Sequence, residues 1–429
     1  MPGRRSAAAE HGTIKREPLP TGARQESPSF DPQIYDDMND TPASERLHIG
    51  FFGRCNSGKS SLINALTGQS VAVVSDIAGT TTDPVSKAME LPGLGACLLT
   101  DTPGFDDTGA LGPQRIERTL RAADRTQIAV LLFGEGDCAA ELDWLGQFRA
   151  REIPVIAVLA QCDRLTDPAR AARAVEERTA LPPLCVSAAT GQGIEELRRA
   201  LAAVHRDEPR EITAGVAEQG DTVLLVMPQD AQAPKGRLIL PQVQTIRELL
   251  DKECTTICCT PQGMSAALAA LARPPKLIVT DSQAFEAVYR QKPAASRLTS
   301  FSVLFARYKG DIDAFTDGAA AIGRLTPSSR VLIAEACTHA PRTEDIGRVK
   351  LPAMLRKKIG AELRVDVISG ADFPDDLTPY DLVIHCGACM FNRRHVLNRI
   401  ARARAQSVPI TNYGVAIAAL IGILDRIEY

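Results

Sequence analysis

The sequence predicts an α/β protein: an N-terminal unit built on a doubly wound, mostly parallel sheet, then two smaller α/β units. Two patterns carry this. From Leu47 onward, short apolar runs of strand length alternate with helix-like stretches, as in parallel sheets wound by helices. Near Pro209–Gly220 the alternation relaxes into a linker-like stretch, and it then resumes in two further blocks.

Residues 1–46 are polar, with Gly, Pro, Ser and charges mixed, and read as a disordered tail. The first unit is expected over 47–208. Its strands are Leu47–Phe52, Cys97–Leu99, Ile128–Phe133, Val155–Leu159 and Leu184–Val186, with a helix from about Gly58 to Leu66. A second unit is expected over 215–297, with strands Val223–Met227, Thr255–Cys259 and Leu277–Thr280 and a helix over Gln242–Asp251. The third, 298–429, carries strands Val331–Ala334, Val365–Ile368, Leu382–Ile384 and Pro409–Ile410. It ends in an apolar helix from about Val415 to Leu424.

The chain has 429 residues and a formal net charge of -3, so composition points to neither nucleic acid nor a membrane surface. No apolar run approaches the roughly 18 residues of a spanning helix, and no signal-peptide core is present, so a cytoplasmic location is expected. In that compartment cysteines stay reduced. The 11 cysteines therefore suggest metal binding or catalysis more than disulfides.

Gly53-Arg54-Cys55-Asn56-Ser57-Gly58-Lys59-Ser60 has the G-x-x-x-x-G-K-[ST] spacing and sits between a strand and a helix. The glycines let backbone N–H groups of Gly53, Ser57, Gly58 and the following Ser61 surround phosphate at a helix N-terminus. Lys59 is expected on the β- and γ-phosphates, and the Ser60 hydroxyl on Mg²⁺. Asp101-Thr102-Pro103-Gly104 follows a strand. Asp101 can hold the metal through water, and Gly104 can offer its N–H to the γ-phosphate. Between these motifs lies Gly79-Thr80-Thr81-Thr82-Asp83, from which Thr81 is expected to complete the Mg²⁺ shell. Lys59, Thr81 and Gly104 are the expected catalytic groups.

This unit resembles TrmE–Era-like GTPases. The resemblance implies GTP as ligand, with guanine read by Asn-Lys-x-Asp. Here the matching residues are Ala160-Gln161-Cys162-Asp163, so Asp163 is in place while the Asn and Lys are replaced. A lost partner predicts weaker base selection. Ser187-Ala188-Ala189 resembles the loop whose backbone reads guanine O6. Asn56 matches the position that helps bind K⁺, and Phe105 stands where Ras-like proteins carry the water-orienting glutamine. The expectation is slow, K⁺-stimulated hydrolysis that serves a switch.

The C-terminal block contains Cys337-Thr338-His339 and His385-Cys386-Gly387-Ala388-Cys389. Cys337 and Cys386 each lie just past a strand of one parallel sheet, where such folds place ligands. Cys389 is expected to open a helix running through Arg393 to Arg404, with Arg393 and Arg394 offsetting cluster charge. Three thiolates with a variable fourth ligand suit a [4Fe–4S] cluster or a Cys₃His zinc site, and spacing alone leaves both open. His339 and His385 are the candidate fourth ligands, or else capping groups. Cys254, Cys258 and Cys259 read as core.

The GTPase unit joined to C-x-H…H-C-x-x-C resembles the HydF family of [FeFe]-hydrogenase maturation proteins. Ala233–Gln242, Thr280-Asp281-Ser282-Gln283 and Ile410-Thr411-Asn412-Tyr413-Gly414 support the likeness. The resemblance implies a homodimer, with 215–297 as dimerisation unit and 298–429 as cluster unit. It favours [4Fe–4S] on Cys337, Cys386 and Cys389. It implies a scaffold that carries a two-iron precursor, works with two radical-SAM maturases, and delivers to apo-[FeFe]-hydrogenase. An RNA- or ribosome-linked GTPase with a structural zinc domain, and a redox-sensing switch GTPase, are the competing readings.

Overall fold

A computed structural model of the chain describes residues 41–68, 84–105, 112–205, 210–229, 238–335, 346–370 and 372–429. Residues 1–40 of the expected tail, the switch with Thr81, and Cys337 and His339 lie outside these residues, whereas the last part of that tail is ordered: Ala43–Glu45 form a single helical turn, and Ser44 and Arg46 are buried.

The first unit runs β1 (Leu47–Phe52), α1 (Lys59–Thr67), β2 (Val85–Leu91), β3 (Gly95–Asp101), α2 (Gly112–Ala123), β4 (Ile128–Phe133), α3 (Ala139–Ala150), β5 (Val155–Ala160), α4 (Pro168–Thr179), β6 (Leu184–Val186) and α5 (Ile194–Val204). Its six strands lie in the order β2-β3-β1-β4-β5-β6. Every pairing is parallel except β2 with β3. Strand β2 is absent from the sequence reading for a physical reason: it is an edge strand, mostly exposed, and its Val-Ser-Lys-Ala-Met-Glu-Leu has no apolar run. Both faces of the sheet are covered. Leu62, Leu66, Leu197 and Leu201 bury one side, and Phe52, Trp144, Phe148 and Val175 bury the other. Central strands buried on both faces read as continuous apolar runs, which is why β1, β4 and β5 were legible.

The second sheet is formed by β7 (Thr222–Val226), β8 (Thr255–Cys259), β9 (Leu277–Thr280) and β10 (Arg297–Ser300). The order is β10-β9-β7-β8, all parallel, with α6 (Leu240–Asp251), α7 (Met264–Ala269) and α8 (Phe285–Gln291) between them. Strand β10 falls where the sequence suggested a third block beginning. The stretch expected as a linker is docked instead. Ile212, Val216 and Ala217 are buried against this sheet, and the Glu248 carboxylate accepts from the Ile212 N–H (2.6 Å), the Thr213 N–H (2.7 Å) and the Thr213 hydroxyl (2.6 Å). On edge strand β8, Cys254 just before the strand is buried, whereas Cys258 is exposed and Cys259 half-buried, so this trio is only partly core.

Helices α9 (Phe301–Lys309) and α10 (Ile312–Ala319) lead to the third sheet. Its strands are β11 (Arg330–Ala334), β12 (Arg364–Ile368), β13 (Leu382–His385) and β14 (Ile410–Asn412), with α11 (Leu351–Ile359), α12 (Arg393–Ala405) and α13 (Tyr413–Leu420). The order is β12-β11-β13-β14, all parallel. One apolar core spans the second and third sheets: Leu224, Ile278 and Leu298 belong to the same buried cluster as Val331, Ile384 and Val415. The backbone approaches closely there, since a Cβ on Gly318 would overlap the Ile410 carbonyl. No helix among the described residues is long and apolar enough to cross a membrane.

Candidate functional site

The loop after β1 turns because Asn56 and Gly58 take left-handed φ values of 58° and 92°. Glycine adopts this without Cβ strain. Lys59, only 7% exposed, folds its ammonium back over the loop and donates to the carbonyls of Gly53 (2.9 Å) and Arg54 (2.6 Å). Arg54 anchors the loop from outside: its Nε lies 2.8 Å from Glu141 of α3, a carboxylate with a 2% exposed side chain. Sequence reasoning missed this pair, because no motif marks it. Ser57 and Ser61 are half-buried in the loop and the first turn of α1, and Asn56 presents its side chain on the exposed rim.

Ser60 and Asp101 meet. The hydroxyl donates to Asp101 Oδ2 at 2.5 Å, at the carboxyl ends of neighbouring strands β1 and β3. Asp101 is buried, and burial pushes its carboxyl above the usual range; the Ser60 hydroxyl and the Lys59 charge pull it back. Its Oδ1 is buried with no hydrogen-bond partner. A buried, unsatisfied carboxylate oxygen beside a hydroxyl is the hard oxygen donor set that Mg²⁺ takes. These residues therefore fit the expected metal.

Next along the chain, Thr102 donates to the Phe51 carbonyl at 2.6 Å and ties this segment to β1. A Cβ at Gly104 would overlap Cys55, so only glycine lets the two phosphate-side loops touch. Phe105 is buried and stacks on Trp144 with centroids 5.5 Å apart, so its side chain packs into the core rather than toward the site.

The base-side loops emerge together, since β5 pairs with β6 in the register Ala160↔Val186. Asp163 is exposed in a single turn over Cys162–Arg164. Gln161, with φ 53°, donates from Nε2 to the Asn56 carbonyl at 3.0 Å. It thus braces the phosphate loop from the position where lysine was expected. Ser187 is buried; its hydroxyl accepts from the Thr190 N–H at 3.2 Å and shapes the turn that carries Ala188.

The cysteine loop follows β13, whose neighbour β11 ends opposite it in the register Ala334↔His385. His385 is 1% exposed. Its Nε2 lies 3.0 Å from Arg399 Nη1, which can only donate, so Nε2 accepts and Nδ1 carries the proton toward the Cys386 carbonyl at 2.8 Å. Burial, helped by Arg399, lowers its pKa to about 3. With both ring nitrogens engaged, His385 orients the loop backbone in this structure. Cys386 and Cys389 are half-buried, and Cys386 Sγ accepts from the Ala388 N–H at 3.4 Å.

The helix begins later than expected: Asn392 caps it and α12 starts at Arg393, so Cys389 precedes it. Arg393 donates to the Gly310 carbonyl (2.6 Å) and Arg394 to the Glu152 carbonyl. The buried cations at the loop are Lys309, which donates to the carbonyls of Cys389 (3.3 Å) and Phe391 (3.1 Å), and Arg399. Among the described residues no three of His, Cys, Asp or Glu are grouped to hold a metal. The two described thiols, soft donors over cationic side chains, fit part of a cluster site.

Residues 48–161 match the family model described as 50S ribosome-binding GTPase. Residues 212–310 match the hydrogen maturase F dimerization domain, and 313–428 the hydrogen maturase F tetramerization domain. A tRNA modification GTPase MnmE of Nitrosomonas europaea is 37% identical over 159 residues, 37% of this chain and 34% of that protein. A GTPase Der of Wolinella succinogenes is 32% identical over 201 residues, 44% of this chain and 42% of that protein. The chain therefore spans well under half the length of these curated relatives. Among solved structures, Era in complex with MgGDPNP and a 16S ribosomal RNA segment aligns with 50% of this chain and 92% of its own, at 16% identity and a TM-score of 0.35. A probable GTP-binding protein engB covers 37% of this chain and 97% of its own, at 22% identity and a TM-score of 0.31. With a GTPase domain ahead of consecutive dimerization and tetramerization domains, the chain belongs to the hydrogen maturase F family.

Proposed function

We propose that this protein is a GTP-hydrolysing scaffold in [FeFe]-hydrogenase maturation. It holds a [4Fe–4S] cluster on Cys337, Cys386 and Cys389 and passes a two-iron precursor, its cargo, to apo-hydrogenase. The observation that carries the reading is the presence on one chain of a nucleotide site with a buried Ser60–Asp101 pair and of a cysteine loop inside the maturase-matched region. That region also favours this reading over an RNA-linked GTPase, since the tRNA modification GTPase relative matches only 37% of the chain.

In the nucleotide site, Lys59 neutralises phosphate charge, and Ser60 and Asp101 position Mg²⁺. Phe105 leaves no side chain to orient water, which is consistent with slow turnover. Asn56, on the exposed rim, is the residue for K⁺ stimulation; equal rates in Na⁺ and K⁺ would remove that element.

In the C-terminal unit, Cys337 is two positions after Glu335 in the sequence, at most about 7 Å of chain. The bound cluster supplies an iron with a labile coordination position. The chain's own contribution is the placement of thiolates at strand ends beside Lys309 and Arg399, whose charges stabilise an anionic group. Cytoplasmic location, homodimer assembly and work with two radical-SAM maturases complete the proposal.

The test is anaerobic reconstitution with iron and sulfide, followed by EPR of the reduced protein. A [4Fe–4S]⁺ signal lost in Cys386→Ala supports the scaffold. About one zinc per chain and no signal would favour a structural zinc domain.

A further inference from the structure

The helix that follows the Asp101–Gly104 segment and the helix that follows the cysteine loop share one seam. Helix α2 touches the nucleotide side through Thr119, fully buried, whose hydroxyl lies 3.5 Å from the Pro103 carbonyl and 2.8 Å from that of Arg115. At its other end, Asp124 and Arg125 meet α12. Asn392 Nδ2 donates to the Arg125 carbonyl at 2.7 Å, and Asn398 Nδ2 to the Asp124 carbonyl at 2.8 Å. The Asp124 carboxylate lies 3.5 Å from Arg402, and the Arg125 guanidinium sits 5.5 Å from the Phe391 ring.

Asn392 does two things at once. Its Oδ1 accepts from the His395 N–H at 3.1 Å and caps α12, while its amide reaches across the seam. It is 4% exposed and stands three residues after Cys389. Lys309 holds the carbonyls of Cys389 and Phe391 together, so a shift at Asn392 is passed to the cysteine through a short, bonded segment. Hydrogen bonds and an ion pair cross the seam, which leaves a cavity of about 130 Å³ lined by residues including Leu120, Asp124, His395 and Arg402. Polar contacts of this kind are those of units that change relative position.

We infer that Asn392 is a positioning residue that couples the nucleotide state at Asp101–Gly104 to the geometry of Cys389. The inference rests on the proposed reading of both sites. Coupling of this type is reciprocal: whatever nucleotide does to the cysteine loop, occupancy of the loop does to nucleotide affinity by the same factor.

The test uses the full chain without a cluster, so that it does not depend on the cluster reading, whose failure would appear separately as absence of iron. Iodoacetamide labelling is followed by peptide mass spectrometry, with Mg²⁺ and either GDP or a non-hydrolysable GTP analogue. Exposed Cys258, on the second sheet, is the internal reference. The expected result is a rate ratio at Cys389 of about five-fold or more between the two nucleotides, with Cys258 unchanged. Asn392→Ser keeps a capping oxygen but is too short and lacks the amide to span the seam, so the ratio should fall toward one. Asn398→Ala, which leaves the cap untouched, should lower the ratio as well. A wild-type ratio of one, or a full ratio retained in both variants, overturns the inference.

Discussion

Gln161 ties the base-side turn to the phosphate loop by donating to the Asn56 carbonyl, 3.0 Å away. The bond places an amide where lysine was expected. Loop geometry therefore depends on Gln161, while base choice depends on Asp163, exposed in the next turn. Asp163 can accept from guanine N1–H and N2–H, and inosine lacks the second donor. Wild type should bind GTP about ten-fold more tightly than ITP, and Asp163→Ala should bring the two together. Gln161→Ala should weaken both nucleotides alike. Fluorescent-nucleotide titration separates these outcomes.

Removal of the Ser60 hydroxyl tests the metal site. Ser60→Ala strands Asp101, whose Oδ1 already lacks a partner, as a buried carboxylate with neither hydroxyl nor well-held metal. Hydrolysis should fall on the order of 100-fold, with the loss partly recovered at high Mg²⁺. Phosphate release across a Mg²⁺ titration measures it. An unchanged rate would place the metal elsewhere.

Glu248 holds the segment that joins the first unit to the second. It accepts three hydrogen bonds from Ile212 and Thr213, and its side chain is only 18% exposed. Glu248→Ala should cost about 2–4 kcal/mol, since it leaves two backbone N–H groups unpaired beside a buried cluster. Urea unfolding of the chain reads this directly, and GTP hydrolysis should be little changed.

His48 sets a pH dependence. Burial on β1 lowers its pKa from the ordinary 6.5, and Arg125 adds to the effect, while the bond to the Ala43 carbonyl opposes it. The folded state thus holds the ring neutral. Below 6.5 the unfolded chain takes up a proton that the folded chain refuses, so stability present above that pH is lost as pH falls. Tm should drop between pH 7.5 and 5.5. The drop should be smaller in His48→Gln, which keeps a donor for Ala43. Equal slopes would remove His48 from the account.

Much of the fold was legible because its central strands are apolar almost throughout, so β1, β4, β5, β7 and β9 could be bounded almost to the residue. Strand β2, exposed and polar, and β10, short and hidden against a helix, gave no such signal. The phosphate loop and the Ser60–Asp101 pair were readable because spacing dictates them. The braces were not: Arg54–Glu141, Gln161–Asn56 and Lys309 under the cysteine loop join residues far apart in sequence through ordinary side chains. The same limit explains His385. Its position beside Cys386 suggested a ligand, but whether a ring faces outward or toward an arginine such as Arg399 is decided by packing. That Asn392, not Cys389, opens α12 depended likewise on a cap bond that composition does not mark.

The central claim is tested most directly by maturation itself. Protein loaded in the presence of the two radical-SAM maturases, then separated from them, is incubated with apo-[FeFe]-hydrogenase, and hydrogen evolution is measured. The account predicts activation by wild type and none by Cys386→Ala. Failure of cluster-bearing wild type to activate, or equal activation by Cys386→Ala, would contradict it.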